Sequence, residues 1–177
     1  MKQLFALITL CFFGLSMAQE TKVIPEETIT SIKKDIWIPF MEAYANLDSK
    51  KLKSIHSADI VRIYLDQNIV ENGQSYMDNF GGFLDDMKQR DDRLGIAFTI
   101  LTTAIDEKEE LAYQTGYYRF SSKRKDDPDL VVRGYGLFNV GLKKEGGVWK
   151  LWLDSDKRIN IDAAEFNSQD ILYELND

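Results

Sequence analysis

Cysteine is all but missing from this chain: Cys11 is the only one in 177 residues. It lies inside an apolar run near the amino terminus, so the part that folds carries no thiol. That excludes disulfides, cysteine nucleophiles and thiolate metal centres together. Histidine is as scarce. His56 stands alone, so imidazoles cannot cluster around a metal, and no histidine pair can divide acid and base duty. Gly81 and Gly82 fall inside a helical stripe, where they cannot form a phosphate-cradling loop ahead of a helix. No serine sits in a nucleophile elbow. The acidic stretch around Pro128 supplies fewer positioned oxygens than a calcium loop needs. The expectation is a protein with no cofactor and no metal.

Positive charge is also short. There are 22 basic against 29 acidic residues and a formal net charge of -7. An acidic surface repels phosphate backbones and anionic lipid, which makes nucleic acid and membrane surfaces poor partners. Long apolar runs are limited to residues 4–15, too short to span a bilayer, so no integral membrane span is expected. Lys2 before that run and the small residues Ser16 and Ala18 after it have the pattern of a signal peptide over residues 1–18, cleaved after Ala18. Leu10, a large residue, stands before Cys11 and argues against lipidation there. The expected product is exported, to the periplasm or the extracellular space. It is a single domain over residues 19–177 with its core at about 26–157. Aromatic residues make up 12% of the chain, enough to line a cavity or an interface.

Apolar residues Ile29, Ile32, Ile36, Phe40, Ala43, Tyr44 and Leu47 recur at helical spacing. Pro39 within this stripe predicts a kink or break. Asp48 and Ser49 can cap a short helix over about residues 50–56. Residues 59–65 read as a first strand, and Asn72-Gly73 as a turn. Tyr76, Phe80, Phe83, Leu84 and Met87 mark a second long helix containing Gly81-Gly82, a pair explained either by close helix–sheet packing or by room for a ligand. From Leu94 the period becomes two. Residues 94–106, 111–122, 131–144 and 148–157 read as a four-strand meander, followed by a polar tail with helical potential near residues 170–175. Helices followed by grouped strands make an α+β chain with its helices on one face of an antiparallel sheet.

The order of these elements resembles the SnoaL-like branch of the nuclear transport factor 2-like superfamily. The resemblance is carried by the segment from Phe40 to Asp48 with Asp59-Ile60-Val61-Arg62-Ile63 after it, by the helix after Gly73, and by the closing strands with Gly146-Gly147-Val148-Trp149-Lys150-Leu151. It covers about residues 32–157. It implies a cone-shaped, cystatin-like roll in which a strongly curved sheet wraps its helices and leaves a cavity at the wide end. It implies no particular reaction, since the superfamily holds isomerases, cyclases, dehydratases, binding modules and dimerisation units.

The candidate catalytic residues are His56, Asp154 and Asp156. His56 lies at the end of the short helix, where it can serve the helix carbonyls or act as an acid or base in a cavity. Strand alternation puts Lys150, Trp152, Asp154 and Asp156 on one face, with the two carboxylates roughly 7 Å apart. Such a pair shares acid–base work if burial raises one pKa, and otherwise answers Lys157 and Arg158 at a solvated strand end. The candidate ligand-binding residues are Arg62 and Tyr64 of the first strand, Tyr113, Tyr117 and Arg119 of one long strand, Arg133 and Tyr135 of the next, and Trp152. They either line a wet pocket, where an arginine would select an anion, or form an outer ladder.

Three functions compete. One is a non-catalytic module of the cell envelope that binds a small organic or anionic ligand. The second is a small isomerase, cyclase or dehydratase with an Asp/His acid–base pair. The third is a structural homodimer formed through the outer sheet face, by either the Tyr118 and Phe120 side or the Tyr117 and Arg119 side.

Overall fold

The computed structural model describes residues 23–124 and 127–175. The expected signal peptide lies outside them. The first helical stripe forms a continuous rod made of α1 (Glu26–Ile32), a π-helical turn (Lys33–Trp37) and α2 (Ile38–Asn46). Pro39 does interrupt the α geometry, but as a widened turn just before it. The Ile38 amide reaches back five residues to the Lys33 carbonyl, so the turn opens where the proline ring would crowd the chain. The rod ends at Leu47 in a left-handed conformation. Asp48 then caps α3 (Ser49–Ser54), its Oδ1 accepting from the Lys51 amide at 2.9 Å.

β1 (His56–Tyr64) starts at His56, earlier than the expected residue 59, and turns back into a short β2 (Ile69–Asn72) that the sequence reading missed. Gly73 opens α4 (Gly73–Gln89) at a φ of +51°, a region that favours glycine. The meander is as expected: β3 (Arg93–Ile105), β4 (Leu111–Lys123), β5 (Val131–Glu145) and β6 (Val148–Ile159). The tail differs. Its helix is α5 (Ala163–Asn167), and the stretch expected to be helical contains β7 (Leu172–Tyr173).

The sheet runs β2-β1-β6-β5-β4-β3-β7. Among the described residues only the β1–β6 pairing is parallel. Three long strands each carry one extra residue against a neighbour: Leu101 in β3, Arg133 in β5 and Trp152 in β6. Such bulges bend a strand and deepen its twist, which curves the sheet around the rod. Trp37 sits at the centre of the core. Its ring lies 4.7 Å from Phe98 and 5.1 Å from Phe138, and its Nε1–H donates to Gln114 at 2.8 Å. At the rod's other side Asp35 accepts from the Trp149 amide at 3.1 Å, tying it to β6. Among the described residues no helix is long and apolar enough to cross a membrane.

Gly81 packs beneath the side chain of Lys53 on α3, where an added Cβ would meet the lysine chain; nothing lies within 4 Å of a Cβ added at Gly82. Gly81 therefore serves a helix–helix contact in place of the expected helix–sheet one, and Gly82 serves no close contact.

Candidate ligand cavity

The concave face of the sheet and the helical rod leave a cavity of about 330 Å³ between them. Most of its wall is aromatic. Trp37, Phe40, Tyr44 and Phe80 come from the helices, and Tyr118 and Phe138 from the sheet. Two glycines make the sheet side possible. The Phe138 ring occupies the space a Cβ would take at Gly116, and the Tyr118 ring lies over Gly136 in the same way.

One wall is ionic. Arg62 on β1 reaches Asp154 through Nη1 and Asp156 through Nη2, both at 2.6 Å. These groups meet because Arg62 pairs in register with Asp154 across the parallel strands. Tyr76 on α4 donates to Asp154 Oδ2 at 3.3 Å, and Tyr118 hydrogen-bonds Asp156. Burial, then the like charge of Asp154, push the Asp156 carboxyl above its ordinary range against the pull of Arg62 and Tyr118. Burial alone would lower the Arg62 pKa, but the two carboxylates outweigh it, so its charge is permanent. Burial raises the phenols of Tyr44, Tyr76 and Tyr118 well beyond neutrality, so all three stay protonated donors.

Asp154 and Asp156 therefore do share a face, as expected, but not with Lys150 and Trp152. Trp152 is the extra residue of the β6 bulge, which reverses the alternation there. Asp154 and Asp156 turn inward. Lys150 bonds the Ser54 carbonyl at 2.5 Å instead, and the Trp152 ring lies against Gly141. Neither carboxylate answers Lys157.

His56 stands behind the cavity, outside its lining. Its Nδ1 lies 2.8 Å from the Leu52 carbonyl. A carbonyl only accepts, so Nδ1 carries the proton and Nε2 presents a bare lone pair, buried and without a partner. The ring faces Tyr76 and Phe80 edge-on at 5.6 and 5.9 Å. Burial lowers its pKa against the attraction of Asp154, which keeps it neutral. The helix-carbonyl role is observed; a direct position in the cavity is not.

The expected polar–aromatic ladder lies on the other face. Tyr113, Tyr117 and Arg119 are on the convex side of β4, because the alternate residues Gln114, Tyr118 and Phe120 point to the core or cavity. Tyr113 donates to Asn139 on the same outer face at 3.1 Å. Arg119 pairs with Glu174 and stacks 5.1 Å from Phe166 of α5, which also meets the Tyr135 ring at 5.5 Å. Tyr113, Tyr117, Arg119 and Trp152 are thus not cavity residues, and the Tyr135 ring turns outward at the cavity's edge. Arg133 does border the cavity, held by Ser122 Oγ at 2.9 Å and by Asp127. Tyr64 stacks 4.6 Å from Arg62 and donates to Glu71 at 3.1 Å, beside a smaller polar chamber. The cavity residue Tyr44, and Tyr76 that holds Asp154 from behind, were hidden in the sequence because their spacing reads as ordinary helix core.

Among the described residues no group of three or more His, Cys, Asp or Glu side chains is placed to hold a metal ion. No family model matches the chain, and no curated protein does. Solved structures do. Aln2 from a Streptomyces species is 12% identical with a TM-score of 0.65, over 77% of this chain and 94% of its own. ActVI-ORFA from Streptomyces coelicolor is 10% identical with a TM-score of 0.62, over 76% and 99%. A ketosteroid isomerase-like protein from Erwinia carotovora atroseptica is 13% identical with a TM-score of 0.56, over 77% and 100%. An NTF2-like protein with a cystatin-like fold from Novosphingobium aromaticivorans is 10% identical with a TM-score of 0.58, over 78% and 86%. The chain therefore has a cystatin-like fold, as the NTF2-like structure from Novosphingobium aromaticivorans does, and this is the architecture that the SnoaL-like resemblance implied.

Proposed function

We propose that this chain is a non-catalytic binding protein of the cell envelope that takes a small, largely apolar ring compound in its aromatic cavity. The observation that carries this reading is how the ionic wall is satisfied. Both terminal nitrogens of Arg62 are spent on Asp154 and Asp156, with its buried Nε alone left without a hydrogen-bond partner, and those carboxylates are held in turn by Tyr76 and Tyr118. A wall tied to itself offers orientation to a guest and little free reactivity, while the rings supply the apolar area. This revises the expectation that a pocket arginine selects an anion, since Arg62 already has two. The envelope location rests on the amino-terminal pattern of Lys2, the apolar run, Ser16 and Ala18.

Native mass spectrometry of protein isolated from its source tests the reading. A single adduct of small-molecule mass per chain is expected. Protein that carries no adduct, and that binds no aromatic compound when challenged by titration, would refute it.

A second reading is favoured by one observation: the raised carboxyl of Asp156 borders the cavity beside the neutral phenols of Tyr118 and Tyr44. In an isomerase or cyclase, Asp156 would move a proton next to a carbonyl whose oxygen a tyrosine holds. Turnover of an enolisable aromatic ketone, lost in Asp156→Asn, separates this reading from simple binding. The outer sheet face, with the registered pair Tyr117 and Leu137 at its middle, is the surface on which we place a homodimer.

A further inference from the structure

A smaller chamber of about 190 Å³ adjoins the aromatic cavity. It is bordered by Tyr64, Asp66 and Gln67 and shares Arg62, Tyr118, Asp156 and Arg158 with its larger neighbour. The two spaces are therefore continuous across a common set of side chains, one apolar and one polar. Three arginines border the larger space, and their bonding separates them. Arg62 has both terminal nitrogens closed by Asp154 and Asp156, and its one unpartnered nitrogen, Nε, is buried. Arg133 is closed by Asp127 and Ser122. Arg158 differs. Its backbone amide donates to Asp66 at 2.7 Å, but among the described residues its guanidinium makes no ion pair or hydrogen bond.

We propose that the two chambers form one bipartite site, in which the aromatic cavity holds the ring body of the guest and Arg158 binds a single anionic end group, a carboxylate or sulfonate, at the entrance to the polar chamber. This rests on the ligand-binding reading given above and adds the charge and shape of the guest. A planar guanidinium with no internal partner offers two parallel donors to an oxyanion. Tyr64 and Gln67 add neutral polar groups around it. Asp156 and Asp66 both border the chamber and oppose an anion, yet the oxygens of Asp156 already receive Arg62 and Tyr118, and burial disfavours its charge. Asp66 is engaged by the Arg158 amide.

Two dyes of nearly the same body test the proposal: 1-anilinonaphthalene-8-sulfonate and its uncharged analogue N-phenyl-1-naphthylamine. Each is titrated into the full chain and into Arg158→Gln, with binding read by fluorescence and stoichiometry by calorimetry. The expected result is one sulfonate dye per chain, held about tenfold more tightly than the neutral dye, a margin typical of a charge-assisted contact. Arg158→Gln should abolish that preference while its thermal midpoint stays that of the parent. Equal affinity for the two dyes in the parent would overturn the proposal and leave the binding cavity standing. So would a preference that survives in Arg158→Gln, or a variant that weakens both dyes alike. If neither dye binds the parent, the cavity reading falls and this proposal with it.

Discussion

Arg62 on β1 and Asp154 on β6 face each other across the parallel β1–β6 pair and close to 2.6 Å, with each side chain 11% exposed or less. Buried charges so placed are held in common. Removing one partner strands the others, whereas removing all of them removes the desolvation cost too. Arg62→Leu should lower stability by about 3–5 kcal/mol. Replacing Arg62, Asp154 and Asp156 together by apolar residues of similar volume should recover most of that loss. Urea unfolding followed by circular dichroism measures both.

Two groups give opposite pH signatures. His56 has a lowered pKa in the folded state. The unfolded chain therefore binds the proton first, and stability present above about pH 6.5 is lost as the pH falls below that ordinary histidine value. Asp156 has a raised pKa. Here the folded chain binds the proton first, so the stabilising contribution is complete below the ordinary carboxylate range and is lost as the pH rises through the folded value. His56→Asn, which keeps a donor for the Leu52 carbonyl, should flatten the decline below pH 6.5. Asp156→Asn loses its charged contact with Arg62 at every pH, but that loss should be smallest at neutral pH, where the parent bears the cost of the buried carboxylate. Unfolding free energies from about pH 2 to about pH 8.5, about two units below the ordinary aspartate value and about two above the histidine one, check both signs.

Gly136 leaves its space to the Tyr118 ring. Gly136→Val should drive that ring into the cavity, cost about 1–3 kcal/mol by overpacking and weaken the neutral naphthylamine dye severalfold. Gly82 has open space around it in mid-helix, so Gly82→Ala should stabilise the fold by about 0.5–1 kcal/mol. Thermal melts of the two variants should move in opposite directions.

On the convex face Tyr117 and Leu137 lie opposite each other, with Tyr113 and Leu101 exposed nearby. Light scattering at micromolar concentration should report a dimer, and Leu137→Glu should report a folded monomer. A strictly monomeric parent would remove the dimer reading.

N-terminal sequencing of exported protein should begin at Gln19. An intact Met1, or a lipid on Cys11, would contradict the signal-peptide reading of residues 1–18.

Helix stripes and strand alternation were legible because both are local. Tyr76, Phe80, Leu84 and their strand counterparts announce their elements by spacing alone. The cavity face was not legible, because one inserted residue decides it. Trp152 looks like any other position in a period-two run, yet its bulge moves Asp154 and Asp156 inward and leaves Lys150 outside. Arg62 was visible as a candidate, but its partners lie some ninety positions away and meet it only through a parallel pairing that a meander does not suggest. The short β2 and β7 were missed for want of length, since Leu172 and Tyr173 form a strand only because β3 provides a partner.

That last pairing has a consequence for the fate of a shortened chain. β7 covers β3 at Phe98 and Thr99, and the Ile171 carbonyl takes the Ile100 amide at 3.1 Å. β3 is thirteen residues long and apolar through this stretch. A chain clipped by a protease after α5 would keep its cavity and its ionic wall but bare that backbone, offering a template on which further strands can polymerise. Loss of these few residues should therefore favour fibre growth from the β3 edge.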